Sequence, residues 1–270
     1  MAEKSGVPYV DSSFNPVWGC TPCSMSCERC YAAKMARIRF RMDCFGKGKK
    51  RKTFGEVHWR EPLKWDIKAG LKHVTPTVLC GDMCDIFDPE WPDDIRPKLW
   101  ELIEDTPRLY WLLLTKRIEN AESMLPEKWL NDGFPMNVGM GVTIEHRKYV
   151  AERLELLCKL PAYFRWISAE PLLSDLKLEL NNLIHWVIIG CDSSTVSPLP
   201  TRIEWIKNVL RECKKNSILS YVKQVSIIKE CKWSDKYGDY VRCSKKIEEW
   251  PEEVKVQEMP NFRMIKIGRK

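Results

Sequence analysis

The chain has 270 residues, 44% of them hydrophobic and 30% charged, with a formal net charge of +7, which is enough apolar material for one large domain with its own core. Its mean hydropathy is −0.37, and its longest apolar run, Leu109 to Leu114, is strand-sized, so no membrane partner is expected. The opening "MAEKSGVPYVDSS" lacks the apolar h-region of a secretory signal. A reducing cytoplasm is therefore expected, where the twelve cysteines do not form a disulfide framework.

Taken in chain order, the first informative stretch is "GCTPCSMSCERCYA", with Cys20, Cys23, Cys27 and Cys30 close together. Cys23, Cys27 and Cys30 spell C-x3-C-x2-C, and three thiolates so spaced on one loop can cap three irons of a [4Fe–4S] cube, leaving the fourth iron open. Zinc on two C-x2-C knuckles is the main rival. Zinc ribbons, however, separate their knuckles by a dozen residues or more, and here only Ser24, Met25 and Ser26 intervene. His58, His73, His146 and His185 show no ligand spacing. Unligated thiols are the third alternative; the other cysteines, such as Cys158 and Cys213, read as small core hydrophobes.

Next comes "RIRFRMDCFGKGKKRK" (37–52), which holds eight Lys or Arg residues with Phe40 and Phe45 between them. Such a segment suits a phosphate backbone with rings for base stacking, or a solvated loop that keeps the chain soluble. Residues 41–62 read as a basic, Gly-containing loop or insertion.

Strand-length apolar runs then recur, each ending in polar residues. "PTVLC" (76–80) leads to Asp82 and Asp85, and "LYWLLL" (109–114) to Thr115, Lys116 and Arg117. "NVGMGV" (137–142) leads to Glu145, "YFRWIS" (163–168) to Glu170, "HWVIIG" (185–190) to Asp192, and "ILSYV" (218–222) to Lys223 and Gln224. Between them, helical spacing of apolar residues predicts helices over 93–105, 118–125, 147–160 and 201–213. Strands alternating with helices imply an α/β fold, a full or partial (β/α) barrel, with a doubly wound open sheet as the alternative. Barrel sites gather at the C-terminal ends of strands, where these polar residues stand. From about 230 the pattern dissolves into charged segments. The expected organisation is a barrel domain over 1–230 with a C-terminal extension, 231–270, packed on it.

Several segments together carry a resemblance. "FNPVWGC…SCERCYA", "MCDIFD", "LLLTKR", "GVTIE", "ISAEPLL", "WVIIG" and "VKQ", in this order over roughly residues 14–225, resemble a bacteriophage and prophage family known for a three-cysteine motif and assigned to radical-SAM-like barrels. The resemblance implies a [4Fe–4S] cluster and S-adenosyl-L-methionine (SAM), whose amino and carboxyl groups take the open iron. An electron from the cluster then splits the sulfonium to give a deoxyadenosyl radical. The family pattern places its cysteines at Cys20, Cys27 and Cys30, whereas the superfamily spacing selects Cys23, Cys27 and Cys30. Two departures stand out. Arg29 occupies the position before the last cysteine where an aromatic residue is usual, and Gly190-Cys191-Asp192-Ser193-Ser194 replaces a Gly-Gly-Glu-Ser-Gly-like stretch.

The resemblance also points to Asp85, Thr115, Lys116, Arg117, Glu145, Glu170, Lys223 and Gln224. With the strand-end residues Asp82 and Asp192, these make Asp82, Asp85, Thr115, Lys116, Arg117, Glu145 and Asp192 candidate cofactor contacts, and Glu145, Glu170 and Lys223 candidate catalytic residues. Lys116, Arg117 or Lys223 would pair with the SAM carboxylate or a substrate phosphate, and Glu145 or Glu170 with the SAM amino group or ribose hydroxyls. A structural salt bridge is the alternative for each. Two functions are expected: a radical SAM enzyme that modifies, rearranges or repairs a nucleobase or modified nucleotide, with a flavodoxin or ferredoxin as electron donor; or a non-catalytic, metal-stabilised nucleic-acid-binding protein.

Overall fold

The apolar runs form strands that are buried almost throughout, as expected for parallel strands covered on both faces. The computed structural model describes residues 5–194, 198–233 and 236–266. In chain order the elements are β1 (Ser12–Phe14), β2 (Val17–Trp18), α1 (Tyr31–Arg39), β3 (Lys52–Thr53), α2 (Glu56–Trp59), α3 (Glu61–Lys72), β4 (Thr77–Cys80), α4 (Ile95–Glu104) and β5 (Tyr110–Thr115). There follow α5 (Ala121–Met124), α6 (Glu127–Asp132), β6 (Val138–Thr143), α7 (Val150–Lys159), β7 (Phe164–Ala169), β8 (Trp186–Gly190), α8 (Ile203–Lys215), β9 (Leu219–Trp233), β10 (Lys236–Ser244) and α9 (Phe262–Lys266).

The chain divides into two compact units. The first comprises Met1–Val142, Glu155–Arg165 and Pro260–Lys270; the second comprises Thr143–Leu154 and Trp166–Met259. In the first, β1, β4, β5 and β6 pair in parallel, with Leu79 opposite both Ser13 and Leu112, and Leu113 opposite Met140. Helix α4 buries Ile95, Leu99, Leu102 and Ile103, a stripe at helical spacing that lies against the core. Phe14 meets Trp111 edge-on at 5.8 Å, and Phe262 of α9 closes on Tyr110 at 4.7 Å.

In the second unit, Trp186 of β8 stands opposite Trp166 of β7 and Leu219 of β9, all in parallel. Helix α8 buries Ile206, Val209 and Cys213. Strand β10 then returns antiparallel to β9, with Cys243 opposite Ser226. Strands joined through helices and paired in parallel give the α/β class and the βα units of a partial barrel.

All six predicted strands are present. One runs far beyond its expected end at Val222: β9 continues to Trp233 and forms a hairpin with β10. The charged composition that obscured this extension belongs to a hairpin reaching beyond the parallel set, where Ile228 is 40% exposed. The stretch "ECKWSDKYGDY" falls partly outside the described residues, since Ser234 and Asp235 are not among them. Residues 118–125 form a 3-10 turn (Ile118–Asn120) followed by the short α5. The expected loop over 41–62 contains β3 and α2. No described helix is long and apolar enough to cross a membrane.

Candidate functional site

In the first unit the cysteine loop is a tight turn that feeds a helix. Met25–Arg29 makes a 3-10 turn, in which the Cys27 N–H donates to Ser24 O at 3.0 Å and the Cys30 N–H to Cys27 O at 3.2 Å. Cys30 is the N-cap of α1, and its sulfur accepts from the Ala33 N–H at 3.5 Å. Cys23 is exposed, while Cys20, Cys27 and Cys30 are half-buried.

Their thiols feel one another. A hydrogen bond from Cys23, helped by the Cys23 backbone N–H, the Lys116 charge and Ser24, outweighs the cost of burial and holds the Cys27 thiol down to about 4. Donating that bond pushes Cys23 up. Cys20 is pushed up by burial first, then by Asp85, Cys30 and Cys27. Cys27 is therefore a thiolate at neutral pH, the form that ligates metals.

The loop is fastened from below. Gly19 has φ +105°, and a Cβ there would come within 2.0 Å of Cys44 O, so only glycine fits. Its N–H donates to Met83 O at 3.0 Å, and the Gly46 N–H donates to Cys20 O at 3.0 Å. Arg117 donates to Thr21 O, and Arg51 donates to Thr21 Oγ1 at 2.7 Å. Arg51 also pairs with Asp88 at 2.8 Å and Glu90 at 3.2 Å, and caps the carbonyls of Cys44, Gly46 and Lys49.

Asp85 ties the end of β5 to this frame. It accepts from Thr115 Oγ1 at 2.6 Å, from the Lys116 N–H at 2.8 Å and from the Phe87 N–H at 3.1 Å, and lies 3.5 Å from Arg117. Asp82 accepts from Asn15 Nδ2, and its carbonyl accepts from Tyr31 Oη at 2.8 Å. The first unit thus gathers the four cysteines with Asp82, Asp85, Thr115, Lys116 and Arg117.

The remaining predicted residues gather in the second unit. Lys223 Nζ lies 3.0 Å from Glu170 Oε1, with the side chains 21% and 12% exposed. Ser168 Oγ donates to Glu170 at 3.5 Å. A Cβ on Gly190 would sit 2.6 Å from Glu170 Oε1, so the glycine that the 190–194 stretch does keep makes room for this carboxylate. Glu145 is fully buried and paired with Arg153 at 2.8 Å; Arg153 also donates to Thr143 O at 2.8 Å and lies 4.0 Å over the Tyr149 ring. Asp192 accepts from the Ser194 and Leu199 N–H groups at 2.9 and 3.0 Å. Gln224 Nε2 donates to Cys191 O at 2.8 Å.

A family model described as "Protein of unknown function (DUF5131)" matches residues 4–259. The chain belongs to the DUF5131 family. No curated protein matches it. Among solved structures, this DUF5131 chain is similar to a mutant spore photoproduct lyase with bound AdoMet and dinucleoside spore photoproduct. That likeness has 12% identity and a TM-score of 0.48, and covers 87% of this chain and 69% of the other.

Among the described residues no group of three or more His, Cys, Asp or Glu side chains is arranged to hold a metal ion. What fits a thiolate-bound cluster is the donor chemistry: four free thiols within residues 20–30, one of them a thiolate favoured by the Lys116 charge. The residues that sequence reasoning missed in this DUF5131 chain are the fasteners: Asn15, Thr21, Arg51, Asp88 and Glu90. Arg51 was one of eight cations in a basic run, and only its burial separates it from the others.

Proposed function

We propose that the chain is a radical SAM enzyme acting on a nucleobase or modified nucleotide, and a member of the three-cysteine phage and prophage group. Cys27, Cys30 and one of Cys20 and Cys23 would hold the [4Fe–4S] cluster. The observation that carries this is the cysteine loop itself: four free thiols within residues 20–30, Cys27 kept ionised, and Thr21 pinned at its carbonyl by Arg117 and at its hydroxyl by Arg51. Such a cluster with SAM supplies one-electron chemistry that begins with hydrogen removal from substrate.

The chain's own residues supply placement. Asp85 and Thr115 fix the Lys116 and Arg117 backbone; Lys116 favours the Cys27 thiolate, and Arg117 holds the loop. These are positioning residues. Lys223 and Glu170 form a partly reachable pair, so the ammonium can donate to a phosphate or ribose oxygen while Glu170 fixes its direction. Glu145 and Asp192 are engaged by Arg153 and by loop N–H groups, and they brace the loops of the second unit. An electron donor of flavodoxin or ferredoxin type would reduce the cluster.

The test is anaerobic reconstitution of the chain and of its Cys27→Ala and Cys30→Ala variants, with bound iron and SAM cleavage measured. The parent should bind about four irons and release deoxyadenosine, and both variants should lose that activity while staying folded. Comparing Cys20→Ala with Cys23→Ala assigns the third ligand. The exposed cations of residues 37–52, all but Arg51, favour the second reading, a metal-stabilised nucleic-acid-binding protein. Stoichiometric zinc with no SAM cleavage would establish it.

A further inference from the structure

Strands β2 and β3 form a two-stranded antiparallel ribbon, with Trp18 opposite Lys52. The ribbon brings the start of the cysteine loop beside the basic segment and assembles rings that are distant in sequence. Trp18 lies 4.8 Å from Phe40 at 53° and 5.7 Å from Phe54, edge-on. Phe54 in turn stacks on His58 at 4.1 Å and 8°. Cations flank these rings: the Arg39 guanidinium is 5.5 Å from the Phe40 centroid, and Lys52 Nζ is 5.7 Å from that of Phe54.

Phe40 is 37% exposed, although a ring of that size normally covers itself in the core. Of the eight Lys and Arg in residues 37–52, all but Arg51 are exposed. The lone acid there, Asp43, is paired with Lys49 at 2.5 Å. This surface therefore carries a strong positive field around the exposed Phe40 ring and the half-buried Trp18 and Phe54 rings beside it.

We propose that the face formed by Trp18, Phe40 and Phe54 with Arg39 and Lys52 binds a single-stranded nucleic acid. Unpaired bases stack on the rings, and Arg39 and Lys52 take the flanking phosphates. Rings read bases only where the bases are unstacked, so the face selects a single strand over a duplex. An acidic protein would complement the charge but leaves the ring faces without a planar partner. The proposal rests on the nucleic-acid substrate proposed above, and gives it a docking surface on the same unit as the cysteine loop. Binding itself needs only the folded chain.

The test is fluorescence anisotropy of the full chain with labelled oligo(dT) and oligo(U), each against a duplex of equal length, over a series of salt concentrations. Single strands should bind at least tenfold tighter than duplex, with log K falling linearly in log salt. Arg39→Ala/Lys52→Ala should reduce the magnitude of that slope by about 1.4, or about 0.7 for each phosphate that a cation no longer neutralises. Phe40→Ala should weaken binding by on the order of tenfold and leave the slope unchanged. Lys72→Ala, on the exposed side of α3, is the control and should change nothing. Whether dT or U binds more tightly identifies the natural strand.

Equal affinity for duplex, or wild-type binding by both variants with their far-UV spectra unchanged, overturns the proposal. A chain that binds single strands in this way but cleaves no SAM retains the docking face and loses the radical chemistry. A chain that cleaves SAM but binds no strand loses only the docking face.

Discussion

Arg51 and Asp88 form an ion pair at 2.8 Å with both side chains fully buried. The pair joins a residue of the basic segment to the loop that follows β4, and through Thr21 it reaches the cysteine turn. Burying two charges is expensive, and removing one partner leaves the other without compensation, at a cost of about 3–5 kcal/mol. Arg51→Ala should therefore lower unfolding free energy by that amount in urea denaturation, whereas neighbouring Lys50→Ala, which is exposed, should stay within about 0.5 kcal/mol of the parent. Equal effects would mean that Arg51 is one more solvated cation.

Cys27 should behave as a thiolate in the metal-free chain. Its thiol is held near 4, so it is ionised throughout the neutral range. Its alkylation by iodoacetamide should stay nearly constant between pH 6 and 8, while an ordinary thiol gains about 100-fold. The sign for stability follows. A depressed acid favours the fold fully above the unfolded thiol's pKa, and that contribution declines as pH falls towards 4. Peptide mapping of the alkylated chain reads the site directly; a Cys27 rate that tracks that of free cysteine would rule out the hydrogen-bonded thiolate.

Glu145 is fully buried and depends on Arg153. Arg153→Met should cost about 3–5 kcal/mol, because the buried carboxylate loses its guanidinium partner. Adding Glu145→Gln should recover part of that loss, a coupling that a double-mutant cycle measures. Additive losses would show that the two residues act independently.

Gly190→Ala should push the Glu170 carboxylate off Lys223, since the new methyl would lie 2.6 Å from Glu170 Oε1. The expected loss is about 1–3 kcal/mol of stability. Glu170→Ala in the same chain should relieve it, because the clash is with that side chain. A Gly190→Ala penalty that persists without Glu170 would place the constraint in the backbone.

The strands that carry the site were legible because buried parallel strands are continuous apolar runs, as "WVIIG" and "LYWLLL" are. The polar residues after them were legible as a set for the same reason. Short or two-faced elements were not. Strand β1 has three residues. Helix α3 buries Trp65 and Ala69 but also exposes Ile67 at 61% and Leu71 at 78%, so its apolar stripe has no single face to detect. Pairing choices were hidden too. That Asp85 faces Thr115 and Arg117 while Glu170 faces Lys223 depends on strand register, which composition does not encode.

The proposed cluster with one open iron can be read in the EPR spectrum of the reduced, anaerobically reconstituted chain with and without SAM. The expected result is a [4Fe–4S]⁺ signal that shifts when SAM is added and is lost in Cys27→Ala. A signal indifferent to SAM, or a chain that binds one zinc and no cluster, would contradict it.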